Sequence, residues 1–320
     1  MINAKMQQTG AYRALVALGL TLLAGAAVAD DILLAPSWQE MQTVRAAGKS
    51  LWQLEIENDS LLLNRDDKFY TSGVHLQQTS LLQTALLSTE YGWRFGQDFY
   101  TASDTNLLPA QLAANDHRYA GWLYAGVFGA KTESTGRSWR WGVDIGCFGR
   151  CAGGAWSQQQ LHHLLKQRLP QAWSTQYRNE AGLVLSGEWS PGRLLPMAGV
   201  DLTPRLNGRF GNIFTDAGAQ LELRAGTLNS LPYQPASYVF LKGSVKAVAY
   251  NATIEGGYFN DEARSIATKK RGGELEIGYL WQRGEYGLSA SVIRRANEIE
   301  QMSNAVGAQN FVRLQFFYAP

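Results

Sequence analysis

Residues 54–77 read LEIENDSLLLNRDDKFYTSGVHLQ, and this stretch decides the fold. Apolar residues alternate with glutamates up to Asn58-Asp59, and a second alternating run follows Thr71. A period of two predicts β-strands, and the polar residues between the runs predict the loop of a β-hairpin. The hairpin brings an acid, an amide and a hydroxyl to one end of its strands, so this end is a candidate half-site.

The same alternation recurs from one end of the chain to the other. Trp139 and Trp141, for example, alternate with Arg140 and Gly142. A soluble β-sandwich would alternate in the same way, so the pattern by itself does not choose between a sandwich and a membrane barrel.

The first 29 residues predict a signal peptide. Lys5 and Arg13 precede an apolar run of about 16 residues, shorter than the roughly 20 that span a bilayer, which ends in Ala-Val-Ala at 27–29. We therefore expect export and a single mature domain over residues 30–320. Removing the peptide takes two of the 29 basic residues and none of the 27 acidic ones, which leaves a neutral chain. A neutral chain is a poor nucleic-acid partner.

A signal peptide, strands of the roughly 9–11 residues that cross a bilayer and aromatics near strand ends favour one fold. We predict an all-β protein, a transmembrane antiparallel β-barrel of about twelve strands in the bacterial outer membrane, with a polar lumen. The strands are expected near 50–59, 69–80, 89–101, 117–130, 138–148, 180–190, 194–206, 215–226, 236–250, 272–283, 285–298 and 309–319.

One segment departs from the strand pattern. Residues 156–169, WSQQQLHHLLKQRL, have helical spacing and predict a short helix near one mouth of the barrel. Gln158 and His162 lie four residues apart, so they share one face of this helix. They either point together into the lumen or over the mouth, or are incidental polar residues of a surface helix.

Cys147 and Cys151 lie four residues apart in GCFGRC. In an extended strand they would be roughly 13 Å apart, so a disulfide needs a turn between them, although the exported setting permits one. We favour an unpaired or only weakly structural pair, and two cysteines without neighbouring histidines make a poor zinc site.

Four stretches of the chain, in order, resemble the outer-membrane lipid A 3'-O-deacylase family over most of the mature sequence. They are Asn58-Asp59 with YTSG at 70–73, GQDFYT at 96–101, DHRYAGWL at 116–123, and the block from Gly142 to Asn179 that contains Gln158 and His162. Each would be weak alone, but four in order on a predicted barrel are specific.

The resemblance implies calcium-dependent hydrolysis of a 3'-acyloxyacyl ester of lipid A. His162 would be the base that activates water, and Gln158 would hold His162 or the water. Asp59 and Asn58 would bind the cation, and Thr71 adds a hydroxyl, because calcium takes oxygen ligands. Strand parity predicts that Thr71 faces the lumen and its neighbour Tyr70 faces lipid. Asn58 has the same parity as the lipid-facing residues Leu54 and Ile56. It can therefore bind a cation at the mouth only if the strand ends or bulges at Asn58.

The chain also departs from the family pattern. No lysine occurs in the loop 102–109, where the family carries one, so recognition of phosphate or acidic sugar would pass to Arg118 or another side chain. An acidic residue that follows the helix in the family is replaced by Arg168, which puts any second metal site in doubt. The expected partners are lipid A or lipopolysaccharide and outer-membrane lipids, and we expect a monomer.

Two other functions stay open at this point. One is an outer-membrane phospholipase, with Ser60 as its nearest serine nucleophile, although no Gly-x-Ser-x-Gly setting accompanies it. The other is a non-catalytic channel or lipopolysaccharide-binding barrel. In that case charge pairs among inward residues would plug a narrow lumen; the candidates are Arg94, Asp98, Arg140 and Asp144.

Overall fold

A computed structural model describes residues 37–62, 68–260 and 266–320, so the signal peptide predicted over residues 1–29 lies outside the described part. Twelve antiparallel strands pair in sequence order, and β1 pairs with β12 to close a barrel. The strands are β1 (Lys49–Asn58), β2 (Phe69–Gln83), β3 (Leu87–Thr101), β4 (Ala120–Glu133), β5 (Arg137–Phe148), β6 (Glu180–Pro191), β7 (Val200–Gly211), β8 (Phe214–Thr227), β9 (Ala236–Asn251), β10 (Arg271–Arg283), β11 (Tyr286–Arg295) and β12 (Gln309–Tyr318).

The predicted fold class is confirmed, with one strand displaced. The seventh strand begins at Val200 instead of residue 194. The apolar residues before it, which imitate a strand in the sequence, form a turn in which the Leu194 amide donates to the carbonyl of Leu202.

Four α-helices accompany the strands in the described residues. They are α1 (Trp38–Ala47), α2 (Gly154–Leu165), α3 (Ala252–Glu255) and α4 (Asn304–Gly307). α2 is the predicted helix, although it starts two residues earlier and ends four residues sooner. No helix in the described part of the chain is both long enough and apolar enough to span a membrane.

The two ends of the barrel differ in the length of their connections. The connections that follow β1, β3, β5, β9 and β11 start at one end, which we call the long-loop end; their described parts are residues 59–62, 68, 102–119, 149–179, 252–260, 266–270 and 296–308. The other end, the short-turn end, carries tighter connections such as 134–136 and 284–285. Outer-membrane barrels have short periplasmic turns and longer extracellular loops, so the long-loop end is the extracellular one.

Alternation along each strand separates an apolar exterior from a polar lumen. Outward-facing side chains such as Phe95, Ile145 and Leu183 are exposed and form the lipid-facing band. Inside, Arg94 makes two 2.7 Å bonds to the carboxylate of Asp144, which is a charge pair between two of the four inward residues named from the sequence. A polar cavity of about 360 Å³ remains in the lumen beside Arg94.

The lumen is obstructed towards both ends by side chains and one turn. At the long-loop end an inner aromatic layer packs Tyr70, Tyr100, Trp122, Phe148 and Phe311 together. At the short-turn end the turn 228–235 folds against the barrel wall. There the side-chain amide of Gln83 donates to the carbonyl of Pro232 at 2.6 Å, and that of Gln282 donates to the carbonyl of Tyr233 at 3.0 Å.

The Arg94–Asp144 pair yields a test of the lumen network. Arg94→Leu leaves a buried carboxylate without its guanidinium, so we expect a loss of about 3–5 kcal/mol of unfolding free energy in detergent. The double variant Arg94→Leu/Asp144→Leu should lose less, because it removes both charges. Arg294→Leu, at an exposed arginine of β11, should change the free energy by about 0.5 kcal/mol or less. If the single and the double variant lose the same unfolding free energy, the loss in Arg94→Leu does not come from the unpaired Asp144 carboxylate.

Candidate functional site

A β-bulge at Thr71 decides which way the residues of the first half-site point. The register between β2 and β3 pairs Tyr70 with Tyr100 but Ser72 with Phe99, so Thr71 is an extra residue in β2. Tyr70 therefore points into the lumen, where its hydroxyl donates to Glu57. The prediction that Tyr70 faces lipid is wrong, because one inserted residue reverses the parity of the strand.

Thr71 lies on the outer side of the barrel wall, not in the lumen as its parity predicts. Its hydroxyl lies 2.8 Å from that of Thr101. Thr101 shares the parity of Trp93 and Phe95, which are exposed to the outside. The bulge is again the reason for the wrong prediction, since it removes Thr71 from the alternation with His75.

Asn58 and Asp59 close the end of β1 beside the bulge. Asn58 keeps the outward parity of Ile56, and β1 ends at Asn58, so the strand end expected from the sequence is present. Its side-chain oxygen accepts from the backbone amide of Ser60 at 2.8 Å, which forms an Asx turn. A carboxylate oxygen of Asp59 accepts from the amide of Lys68 at 2.9 Å. Both side chains are buried and held at the strand end.

A row of paired residues connects this half-site to the helix α2. Asn58 pairs with Ser72, Ser72 with Phe99, and Phe99 with Gly121, all on the outer face. Three strand spacings amount to about 14 Å. At the end of the row Gly121 is required, because a Cβ atom there would come 2.8 Å from the Cβ atom of Ala152. The segment that begins α2 therefore lies against the outer wall.

Side chains of an outer aromatic cluster hold α2 in this position. The cluster comprises Phe99, Ala102, Tyr119, Ala172 and Trp173. The Trp173 indole contacts Phe99 and Tyr119 edge-on, and its N–H donates to the side-chain oxygen of Gln158 at 2.8 Å. Gln158 is completely buried. The prediction that Gln158 lies over the mouth or in the lumen is thus replaced by a position between α2 and the outer wall.

His162 is buried on the same face of α2 as Gln158, as their spacing predicts. Lys166 takes a left-handed conformation with φ 54°, which ends the helix and turns the chain back. The Nδ1 atom of His162 then lies 2.5 Å from the carbonyl oxygen of Arg168. A carbonyl only accepts, so Nδ1 carries a proton, and in the neutral form of the ring the basic lone pair is on Nε2. His163 is exposed.

A disulfide fixes the other side of this segment. Cys147 and Cys151 are joined, with their Cα atoms 5.9 Å apart. The preference for an unpaired pair is wrong, because a turn with Gly149 at φ 92° folds the chain back directly after β5. The covalent bond therefore ties the end of β5 to the residues that lead into α2.

Arg118 is half-buried beside the helix and is partly engaged. Its Nε atom donates to the carbonyl of Thr175 at 3.2 Å, and its guanidinium stacks over the ring of Tyr177 at 4.6 Å. The neighbouring His117 stacks on Tyr100, and burial lowers its pKa, against the opposing effect of its bond to the carbonyl of Arg118. Arg118 thus helps to position the 173–177 segment.

Two groups of side chains offer metal ligands. At the adjoining ends of β1 and β2, Asn58, Asp59 and Thr71 supply only oxygen atoms, which suits calcium. A second group, which sequence reasoning missed, brings donor atoms of Glu55, Glu57 and His75 within 4.8 Å of one another in the lumen. The alternation of Glu55 and Glu57 in β1, with inward parity for His75, is the signal that could have found it.

The lumen group fits an ion-pair network better than a calcium site. Each ring nitrogen of His75 lies 2.8 Å from a carboxylate, one from Glu55 and the other from Asp98. The guanidinium of Arg313 already bonds Glu57 and a further carboxylate, Glu276. A divalent cation there would face the positive charge of Arg313, and calcium does not favour imidazole nitrogen.

Comparisons with known proteins agree with this architecture. The family model described as outer membrane protein LpxR matches residues 15–319. The solved structure of LpxR from Salmonella typhimurium superposes with a TM-score of 0.70 at 19% identity, covering 84% of this chain and 99% of that one. The β domain of the Bordetella autotransporter BrkA gives a TM-score of 0.49 at 11% identity, covering 85% of this chain and 99% of that one. No curated protein matches.

The bond between Trp173 and Gln158 is testable without any substrate. Gln158→Leu leaves the buried indole N–H without this acceptor, which costs about 1–3 kcal/mol. We expect faster hydrogen exchange over residues 154–165, while exchange in β3 and β4 stays slow. Gln160→Leu, an exposed position on the same helix, is the matched control. Identical exchange in the two variants would mean that Gln158 does not anchor the helix.

Proposed function

We propose that this chain, which belongs to the LpxR family of outer membrane proteins, hydrolyses an acyl ester of lipid A at the outer face of its barrel. The bond cut would be the 3'-acyloxyacyl ester, with water as the nucleophile and His162 as the base. The protein lies in the outer membrane, as the family and the barrel fold show.

One observation carries this proposal: His162 and Gln158 are buried against the same outer wall that carries Asn58 and Thr71. This wall faces the lipid of the outer leaflet. An acyl ester of a membrane lipid would therefore reach these side chains laterally, without entering the obstructed lumen.

The geometry of His162 supports a role as general base. The bond from Nδ1 to the carbonyl of Arg168 fixes the ring and keeps the basic nitrogen at Nε2. Nε2 would take a proton from water as the oxygen attacks the ester carbonyl carbon, and would return it to the departing sugar oxygen as the C–O bond breaks. The products are the free acyloxyacyl acid and a sugar hydroxyl. Gln158 would keep α2 against the wall during these steps.

A divalent cation fits the oxygen donors at the strand ends. Asn58, Asp59 and Thr71 would hold it, and when bound it would stabilise the negative charge that develops on the ester oxygen. Asp59 supplies the only carboxylate of the three.

The two alternatives receive less support. The Ser60 hydroxyl donates to the side-chain oxygen of Asn58, and among the described residues it makes no bond to a histidine, as an activated serine would. A passive channel needs an open lumen, whereas the inner aromatic layer and the 228–235 turn obstruct it.

His162→Ala tests the proposed chemistry. Refolded protein in detergent should release an acyloxyacyl unit from lipid A, as measured by the masses of the products, and the variant should lose about 100- to 10,000-fold of the rate. His163→Ala is the matched control, because it removes an exposed imidazole one residue away, and it should keep the wild-type rate. If the wild-type protein leaves lipid A intact, a lipopolysaccharide-binding barrel is favoured. If His162→Ala keeps the wild-type rate, as His163→Ala should, His162 is not the base.

Asp59→Asn tests the proposed cation site. We expect activity to require a higher calcium concentration, because a neutral amide holds the cation less strongly than a carboxylate. The folded barrel should persist as a heat-modifiable band on a gel, since Asp59 lies at a strand end. An unchanged calcium dependence would contradict the assignment, and loss of the folded band would show a structural role instead.

A further inference from the structure

The helix α2 buries polar side chains and exposes two large apolar ones. Its buried side carries Gln158 and His162, whereas Trp156 and Leu164 are 68% and 78% exposed on the opposite side, beside the exposed Gln160 and His163. A surface helix in water normally buries its apolar stripe and exposes its polar one. Large apolar side chains exposed on the outside of a membrane barrel indicate contact with a nonpolar phase, namely acyl chains of the outer leaflet, and the polar residues between them suit the boundary with the sugar headgroups.

The segment that carries α2 is also strongly basic. Between Asp144 and Glu180 the sequence contains no acidic residue but has arginine or lysine at 150, 166, 168 and 178. The mature chain as a whole is expected to be neutral, so this is a local concentration of positive charge. Such a segment favours an anionic partner.

Lys166 and Arg168 stand out within this segment because of their position. Both are exposed, and neither side chain pairs with a carboxylate among the described residues. They flank the turn that closes on His162, and the carbonyl of Arg168 itself holds the His162 ring. Arg118, by contrast, is partly engaged by Thr175 and Tyr177.

We propose that the exposed face of α2 and the turn after it form a docking surface for an anionic, acylated sugar lipid. Acyl chains would lie against Trp156 and Leu164, and a phosphate of the lipid would bind Lys166 and Arg168. Because the carbonyl of Arg168 also holds His162, phosphate binding would place the lipid beside the base. The proposal rests on the proposed function and assigns phosphate recognition to residues other than Arg118.

The experiment is a steady-state comparison on two substrates. For Lys166→Gln/Arg168→Gln we expect KM for bisphosphorylated lipid A to rise about tenfold, with kcat changed less than twofold. On lipid A stripped of phosphate, the wild-type protein should have a KM about as high as that of the double variant on bisphosphorylated lipid A. The KM of the double variant should be the same for both lipids. The matched control is Lys269→Gln/Arg271→Gln, which removes two positive charges at the start of β10 on the far side of the barrel. Its KM should stay at the wild-type value.

Other outcomes separate the docking surface from the chemistry. An unchanged KM in the double variant, or a wild-type KM that is equal for both lipids, would overturn the docking proposal while leaving the hydrolase proposal intact. If the wild-type protein cuts neither lipid, the proposed function fails, and binding of fluorescent lipid A then tests the surface alone. Weaker binding by Lys166→Gln/Arg168→Gln but not by the control would support it, and equal binding would overturn it.

Discussion

Pairing of β1 with β12 is the constraint on which the rest of the molecule depends. Within a bilayer every backbone N–H and C=O group must find a partner in the protein, and only a closed barrel gives edge strands such partners. Closure also divides the side chains into an inner and an outer set. The inner set must satisfy its charges locally, which explains why Arg94 meets Asp144 and Arg313 meets Glu57.

The same closure makes one inserted residue consequential. Without the bulge at Thr71, strand parity would send its hydroxyl into the lumen and leave Tyr70 in lipid. With it, Tyr70 joins the inner aromatic layer and Thr71 joins Asn58 on the outer face. Asn58 and Thr71 are thus buried polar residues on the same outer face as α2, which packs against β3 and β4. The helix is held there by the Cys147–Cys151 disulfide before it and by Trp173 after it.

Much of the fold could be predicted from the sequence because membrane strands must alternate. Eleven of the twelve predicted strands overlap their observed ranges closely, and only the strand at Val200 is displaced by several residues. The spacing of Gln158 and His162 correctly predicted a shared helical face. The orientation of that face was not predictable. The leucines in the sequence of α2 resemble an apolar stripe that packs against the protein, and nothing in the sequence says that the exposed side of the helix meets lipid instead of water. The bulge in β2 and the turn between the cysteines were not predicted, since the residues at Thr71 and Gly149 do not by themselves distinguish a bulge or a turn from a continuous strand.

The position of the candidate site follows from the physical state of its proposed substrate. A lipid with several acyl chains loses hydrophobic burial if it leaves the leaflet to enter a polar lumen, at about 0.8 kcal/mol for each methylene exposed. A site on the outer wall avoids that cost, because the chains remain in the membrane while the sugar reaches the long-loop end. An obstructed lumen is compatible with this arrangement. With no substrate to admit, its interior is free to be filled by the ion pairs and aromatic side chains that stabilise the closed barrel.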